Sequence, residues 1–195
     1  MNTTKYRGII VILVIISVTL SAWSFDSFGE KWSPFEFKGN ELYRYRVKWG
    51  DEQQESAIYS LRIEENAAGN YTVKYSTEVE VEPSQLSSDV AFGYWESYGP
   101  SLQFMFLNPM YSMLFDQLEL KVGEKMSYYG QGTMKVTGKE KVAGRVGYVC
   151  RLFDTDEEFV AEWVVDPTLA LPLRSINSEL SGGEGEILML DYKRL

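Results

Sequence analysis

Apolar and polar residues alternate with a period of two over three early stretches of the chain. Tyr43, Tyr45, Val47 and Trp49 alternate with Arg44, Arg46 and Lys48; Ala57, Tyr59, Leu61 and Ile63 are set against Ser60 and Arg62; Tyr71, Val73, Tyr75, Val79 and Val81 are set against Lys74, Glu78, Glu80 and Glu82. Successive side chains of an extended strand point to opposite faces, so this period predicts strands with one buried and one wet face. Asn66, Gly69 and Asn70 tolerate left-handed backbone angles and predict a turn between the second and third, making the three a meander. From Pro83 to Leu120 the alternation stops. There Asn108 and Pro109 give a helix start, with Asn as cap and Pro in the first turn. The helix is expected to run to about Leu118, pressing Met110, Met113, Leu114 and Leu118 against the sheet. Strands are expected again over 126–136, 147–153, 159–165, 173–179 and 186–192, with Gly138, Gly144, Gly147, Asp166-Pro167 and Gly182-Gly183 as punctuation. In the strand over 159–165, Phe159, Ala161, Trp163 and Val165 form the inward set, which makes Trp163 a core residue. The pattern predicts a mainly β fold of about eight strands with one short helix.

Ahead of this region, Lys5 and Arg7 precede an uncharged run from Gly8 to Phe25 whose centre is almost entirely Ile, Val and Leu. A basic flank followed by an apolar core is the layout of an export signal. The run is also long enough to cross a bilayer as a helix, so residues 1–25 are read as a signal peptide or an N-terminal membrane anchor, with cleavage left open. Residues 26–195 form the exported β domain, placed outside the cytoplasm because the basic flank stays inside. Trp23, Phe25, Phe28, Trp32, Phe35 and Phe37 form an aromatic lead-in, read either as rings packed on the domain or as a belt beside the membrane.

Composition narrows the chemistry. The net charge of −9 disfavours a nucleic-acid partner, whose phosphates require clustered Lys and Arg. The chain has no histidine, which removes the commonest general base, the usual zinc ligand and the catalytic triads built on it. Cys150 is the single cysteine, expected to be buried as a small core hydrophobe. Asp154, Asp156, Glu157 and Glu158 crowd one turn, but the glycine and distal glutamate of a calcium loop are missing, so they read as a solvated hairpin tip. Asn70-Tyr71-Thr72 is an acceptor sequence for N-glycosylation on a surface turn. No nucleophile elbow and no phosphate-binding loop occurs. The sequence therefore predicts no catalytic residue, no metal site, no cofactor and no enzyme activity.

Further motifs carry a resemblance. They are Phe37-Lys38-Gly39-Asn40-Glu41-Leu42 before a Tyr-rich strand ending Trp49-Gly50; Leu120-Lys121-Val122-Gly123-Glu124; Val136-Thr137-Gly138-Lys139-Glu140-Lys141-Val142; and Trp163-Val164-Val165-Asp166-Pro167 followed by Leu171-Pro172-Leu173-Arg174. Together they resemble a family of uncharacterised exported β domains, similar in architecture to the half-barrels of the lipoprotein carrier and receptor proteins. The resemblance covers roughly residues 35–192 and implies a single antiparallel, curved or half-barrel sheet; it brings no catalytic residue with it. The chain has one candidate helix where the carriers have several. On this reading the protein is a non-enzymatic cell-envelope domain that binds a lipid or other apolar molecule with Trp95, Phe104, Phe106, Met110 and Met113, whose large adaptable side chains suit varied ligand shapes. The alternative is a structural or protein-interaction module at the envelope, with the same residues filling a core.

Overall fold

The computed structural model describes residues 29–49, 55–79, 109–128, 130, 132–178 and 185–195. The chain divides into two compact units, Met1–Glu30 and Lys31–Leu195, and the second is described here. The apolar leader over 1–25 lies outside the described residues. Among the described residues no helix is long and apolar enough to cross a membrane.

Nine strands are found among them: β1 Glu41–Trp49, β2 Glu55–Glu65, β3 Tyr71–Val79, β4 Lys125–Tyr128, β5 Gly132–Val142, β6 Arg145–Phe153, β7 Phe159–Val165, β8 Arg174–Asn177 and β9 Gly185–Arg194. One short helix, α1, spans Pro109–Phe115. The strands form one open antiparallel sheet in the order β3-β2-β1-β9-β8-β7-β6-β5-β4. Two meanders, β1 to β3 and β4 to β9, therefore meet at the β1–β9 seam.

The expected strand over 126–136 is instead two strands with a hairpin between them. Gly130 takes a left-handed φ of 73° there. Gly132 follows because a Cβ at that position would overlap the carbonyl oxygen of Phe153 on β6. From Gly132 the chain runs on to Val142, passing the glycine expected to end it by a bulge between Val136 and Gly138. The helix is also shorter than expected, giving way after Phe115 to a turn in which the Gln117 and Leu118 amides both donate to the Leu114 carbonyl.

Register shows why the pattern works. Val136, Cys150, Trp163, Ser175, Ile187, Val47 and Ala57 are directly opposed from strand to strand, and every one of them is buried. Residues opposed in this way share a face. The neighbouring register line, on the other face, holds Lys135, Arg151, Glu162, Ile176, Glu186 and Lys48. Here the charges pair. Arg151 holds Glu162 at 2.5 Å, Arg174 also reaches Glu162, and Arg174 grips Glu140 with bonds of 2.7 and 2.8 Å. Glu162 is thus buried between two guanidinium groups, the arrangement a charge out of water requires.

The core forms two clusters. One joins Tyr43, Tyr45 and Val47 of β1, Tyr59, Leu61 and Ile63 of β2, and Ile187 and Met189 of β9 to Leu169, Leu171 and Leu173 of the β7–β8 connection. The other joins Leu114, Phe115, Leu118 and Leu120 to Trp32, to Met134 and Val136 of β5, to Cys150 and Leu152 of β6, and to Ala161, Trp163 and Val165 of β7.

Candidate functional site

α1 lies in the stretch over 83–120 where the strand alternation stops, and it carries two of the candidate ligand-binding residues, Met110 and Met113. A helix of seven residues does not hold itself together in water, so α1 depends on what it packs against. Leu114 and Phe115 face inward, followed by Leu118 in the turn, and all three are buried. The Phe115 ring meets Trp32 edge-on at 4.8 Å and Trp163 edge-on at 5.7 Å. Tyr111 lies 5.4 Å from Trp163 and 6.5 Å from Tyr128. Edge-to-face contacts of this kind suit the charge distribution of aromatic rings and add to the burial itself.

Met113 is on the other side of the helix. It is 63% exposed, whereas helical spacing placed it with Leu114 on the buried face. With α1 beginning at Pro109, positions 114, 115 and 118 take the inward stripe and position 113 is turned out. Met110 is in α1. Trp95, Phe104 and Phe106 lie outside the described residues.

The aromatic lead-in is divided. Trp32 is fully buried and its indole N–H donates to the Leu169 carbonyl at 2.6 Å. Phe35 and Phe37 are exposed, although the Phe35 amide donates to the Ala170 carbonyl at 2.7 Å. These bonds, and that of the Tyr45 hydroxyl to the Pro172 carbonyl at 2.9 Å, explain two of the sequence motifs as one structural device. In the β7–β8 connection the Leu169, Ala170 and Pro172 carbonyls are thus satisfied by the Trp32 indole, the Phe35 amide and the Tyr45 hydroxyl. At its start Asp166 accepts from the Thr168 amide and hydroxyl and from Arg145 Nε at 2.7 Å, and Arg145 Nη2 donates to the Thr168 hydroxyl. Burial pushes the Asp166 carboxyl up, but the Thr168 and Arg145 bonds outweigh it and hold the group below the usual aspartate range.

The buried ionisable groups are likewise spent on structure. Glu41 is 1% exposed and accepts from the Tyr43 hydroxyl at 3.1 Å, the Tyr192 hydroxyl at 3.0 Å and the Lys38 amide at 2.8 Å. Burial, reinforced by Glu41, drives the Tyr43 hydroxyl far above the usual tyrosine range, and burial does the same for Tyr45 and Tyr59. These phenols stay protonated, and those of Tyr43 and Tyr45 serve as donors. Cys150 is buried, as expected, and burial with the nearby Glu162 charge pushes its thiol up to about 12, which makes it a poor nucleophile.

At the β6–β7 hairpin tip, Asp154 accepts from the amides of Asp156 and Glu158, so this carboxylate shapes the turn. Among the described residues no group of three His, Cys, Asp or Glu is placed to hold a metal ion. Asn66 plays the corresponding part in the β2–β3 turn, accepting from Ala68 and Asn70, and leaves Asn70 exposed.

No family model matches the sequence, and no curated protein matches it. Among solved structures it is similar to MucB, with a TM-score of 0.42 and 10% identity over 83% of this chain and 55% of that one. The Pseudomonas aeruginosa MucA/MucB complex matches with a TM-score of 0.40 and 12% identity, over 80% of this chain and 52% of that one. A DUF1329 family protein from Desulfovibrio piger matches with a TM-score of 0.25 and 9% identity, over 80% of this chain and 86% of that one. The chain spans about half the length of the MucB chains it matches.

Proposed function

We propose that this chain is a non-enzymatic domain of the cell envelope, exported behind residues 1–25, that acts through its surfaces as a structural or protein-interaction module. The observation that carries this reading is the filled contact beneath α1. Phe115 is enclosed by Trp32 and Trp163, and Tyr111 adds a further ring against Trp163, so the apolar side of the helix and the sheet under it are used up on one another. The buried acids and phenols are likewise committed to structural bonds, which leaves them no part in a reaction.

A second reading has a specific observation in its favour. Met113 presents an adaptable apolar side chain to solvent beside the buried Leu114 and Phe115, and this supports an apolar or lipid ligand taken by a half-barrel at its helix side. Trp95, Phe104, Phe106 and Met110 would then complete the site with Met113. Native mass spectrometry of the full chain, extracted from membranes in mild detergent, separates the two. The module reading expects the mass of the protein alone. A bound acyl chain that is retained by the wild type and lost from Met113→Gln overturns it in favour of the ligand.

A further inference from the structure

The two edges of the sheet are unlike. On one side β4 is four residues long, too short to template another strand, and ends in the buried Tyr128. On the other side β3 is nine residues long, and from Tyr71 to Glu78 it has no buried residue. Three of its exposed side chains are large and apolar: Tyr71 at 54%, Val73 at 46% and Tyr75 at 57%. They share the face of Ile63 and Leu61, the buried β2 residues opposite Val73 and Tyr75. Among the described residues no strand pairs with its outer side, and a long, partly apolar edge strand is a template for pairing.

The charges on β3 specify what it pairs with. Its two charged residues, Lys74 and Glu78, stand two positions either side of Ser76. An antiparallel copy of the same strand, centred on Ser76, sets Lys74 of each chain opposite Glu78 of the other, on one face. Tyr75 falls opposite Thr77 on the other face. Both side chains are available. Glu78 has no ion-pair partner among the described residues. Lys74 is 64% exposed and only 3.5 Å from Glu64, a carboxylate already held by Arg62 at 2.6 Å. A closed two-fold contact repeats each pair, so this register gains the charge match twice.

We propose that β3 pairs antiparallel with β3 of a second copy of this chain, about a two-fold axis at Ser76, so that the two sheets join edge to edge. The interface goes beyond the functional readings above and depends on neither, because it lies at an edge that α1 does not reach in the strand order.

The register can be tested with single cysteines in the full chain, since the native thiol of Cys150 is buried. Ser76 faces its own copy across the axis, at a spacing between paired strands that a disulfide spans. Under mild oxidation in detergent-extracted protein, Ser76→Cys is expected to give a disulfide-linked dimer of this chain. Thr72→Cys, equally exposed but remote from its copy in this register, is expected to give none. In sedimentation of the same extracts, Lys74→Glu and Glu78→Lys each weaken association by about tenfold or more, and the double swap restores it. The swap retains whatever loss of the Glu64 contact does within one chain, so its recovery reports the pairing between chains. Equal cross-linking at both positions, monomers throughout, an unrestored swap, or a Ser76→Cys adduct with a different protein would each overturn the proposal.

Discussion

Trp163 is opposed on its register line by Cys150 and Ser175, and its ring is met by Phe115 from α1. Three elements would lose contacts if the ring were removed, so Trp163→Ala is expected to cost about 3–5 kcal/mol of stability. Denaturant unfolding of the two proteins checks this, and an unchanged midpoint would remove Trp163 from the core. That residue was legible in the sequence because Ala161, Trp163 and Val165 alternate on a strand whose partners also alternate. Phe159 was grouped with them and is 39% exposed, because it starts the strand beside the hairpin tip, where Phe153 is its aromatic neighbour and the sheet gives no cover. Met113 escaped its expected position for a related reason. Helical spacing states which residues share a face, but the packing of Phe115 between two tryptophans decides which face is buried.

Among the elements, the β7–β8 connection shows how a segment without regular structure is made rigid. Arg145 and Thr168 bind the Asp166 carboxylate, so folding favours its ionised form and its pKa falls on folding. The stability from this group is full above the aspartate range of the unfolded chain, near pH 4, and is lost as the pH drops through the lower folded value. Asp166→Asn should therefore lower the melting temperature at neutral pH and reduce the difference from wild type in strong acid. Melting curves from pH 7 down to pH 2 test this, and a gap that does not narrow would show that the carboxylate charge is not what holds the turn. Asp166-Pro167 was readable as a turn, whereas the partner Arg145 is remote in sequence and left no local sign. The division of 126–136 was hidden in the same way, since the close approach of Phe153 that selects Gly132 comes from a later strand.

For the whole molecule, the decisive contact is the seam where β1 pairs β9, with a bulge between Arg44 and Tyr45 and the Glu41, Tyr43 and Tyr192 bonds at one end. Alternation predicted both strands but not their adjacency, because a period of two says nothing about which strand lies beside which. Ending the chain at residue 184 would leave β1 and β8 without a shared partner, and the expected result is loss of a cooperative thermal transition. A truncated chain that still melts cooperatively would show that each meander folds alone. The partners in this seam are far apart along the chain: Glu41 and Tyr192 are separated by 151 positions. Loops of that length close late, after neighbouring strands have zipped into hairpins. A chain made from its N-terminus therefore carries β1 with one bare side through most of its synthesis, a period in which unpaired strands of different molecules tend to stick together. Arg44, Arg46 and Lys48, interleaved with the aromatic and aliphatic residues of β1, put a positive charge at every second position of that waiting strand. Like-charge repulsion between such strands would keep nascent copies apart, and the alternation that divides a wet face from a dry one would then also guard the strand until β9 arrives.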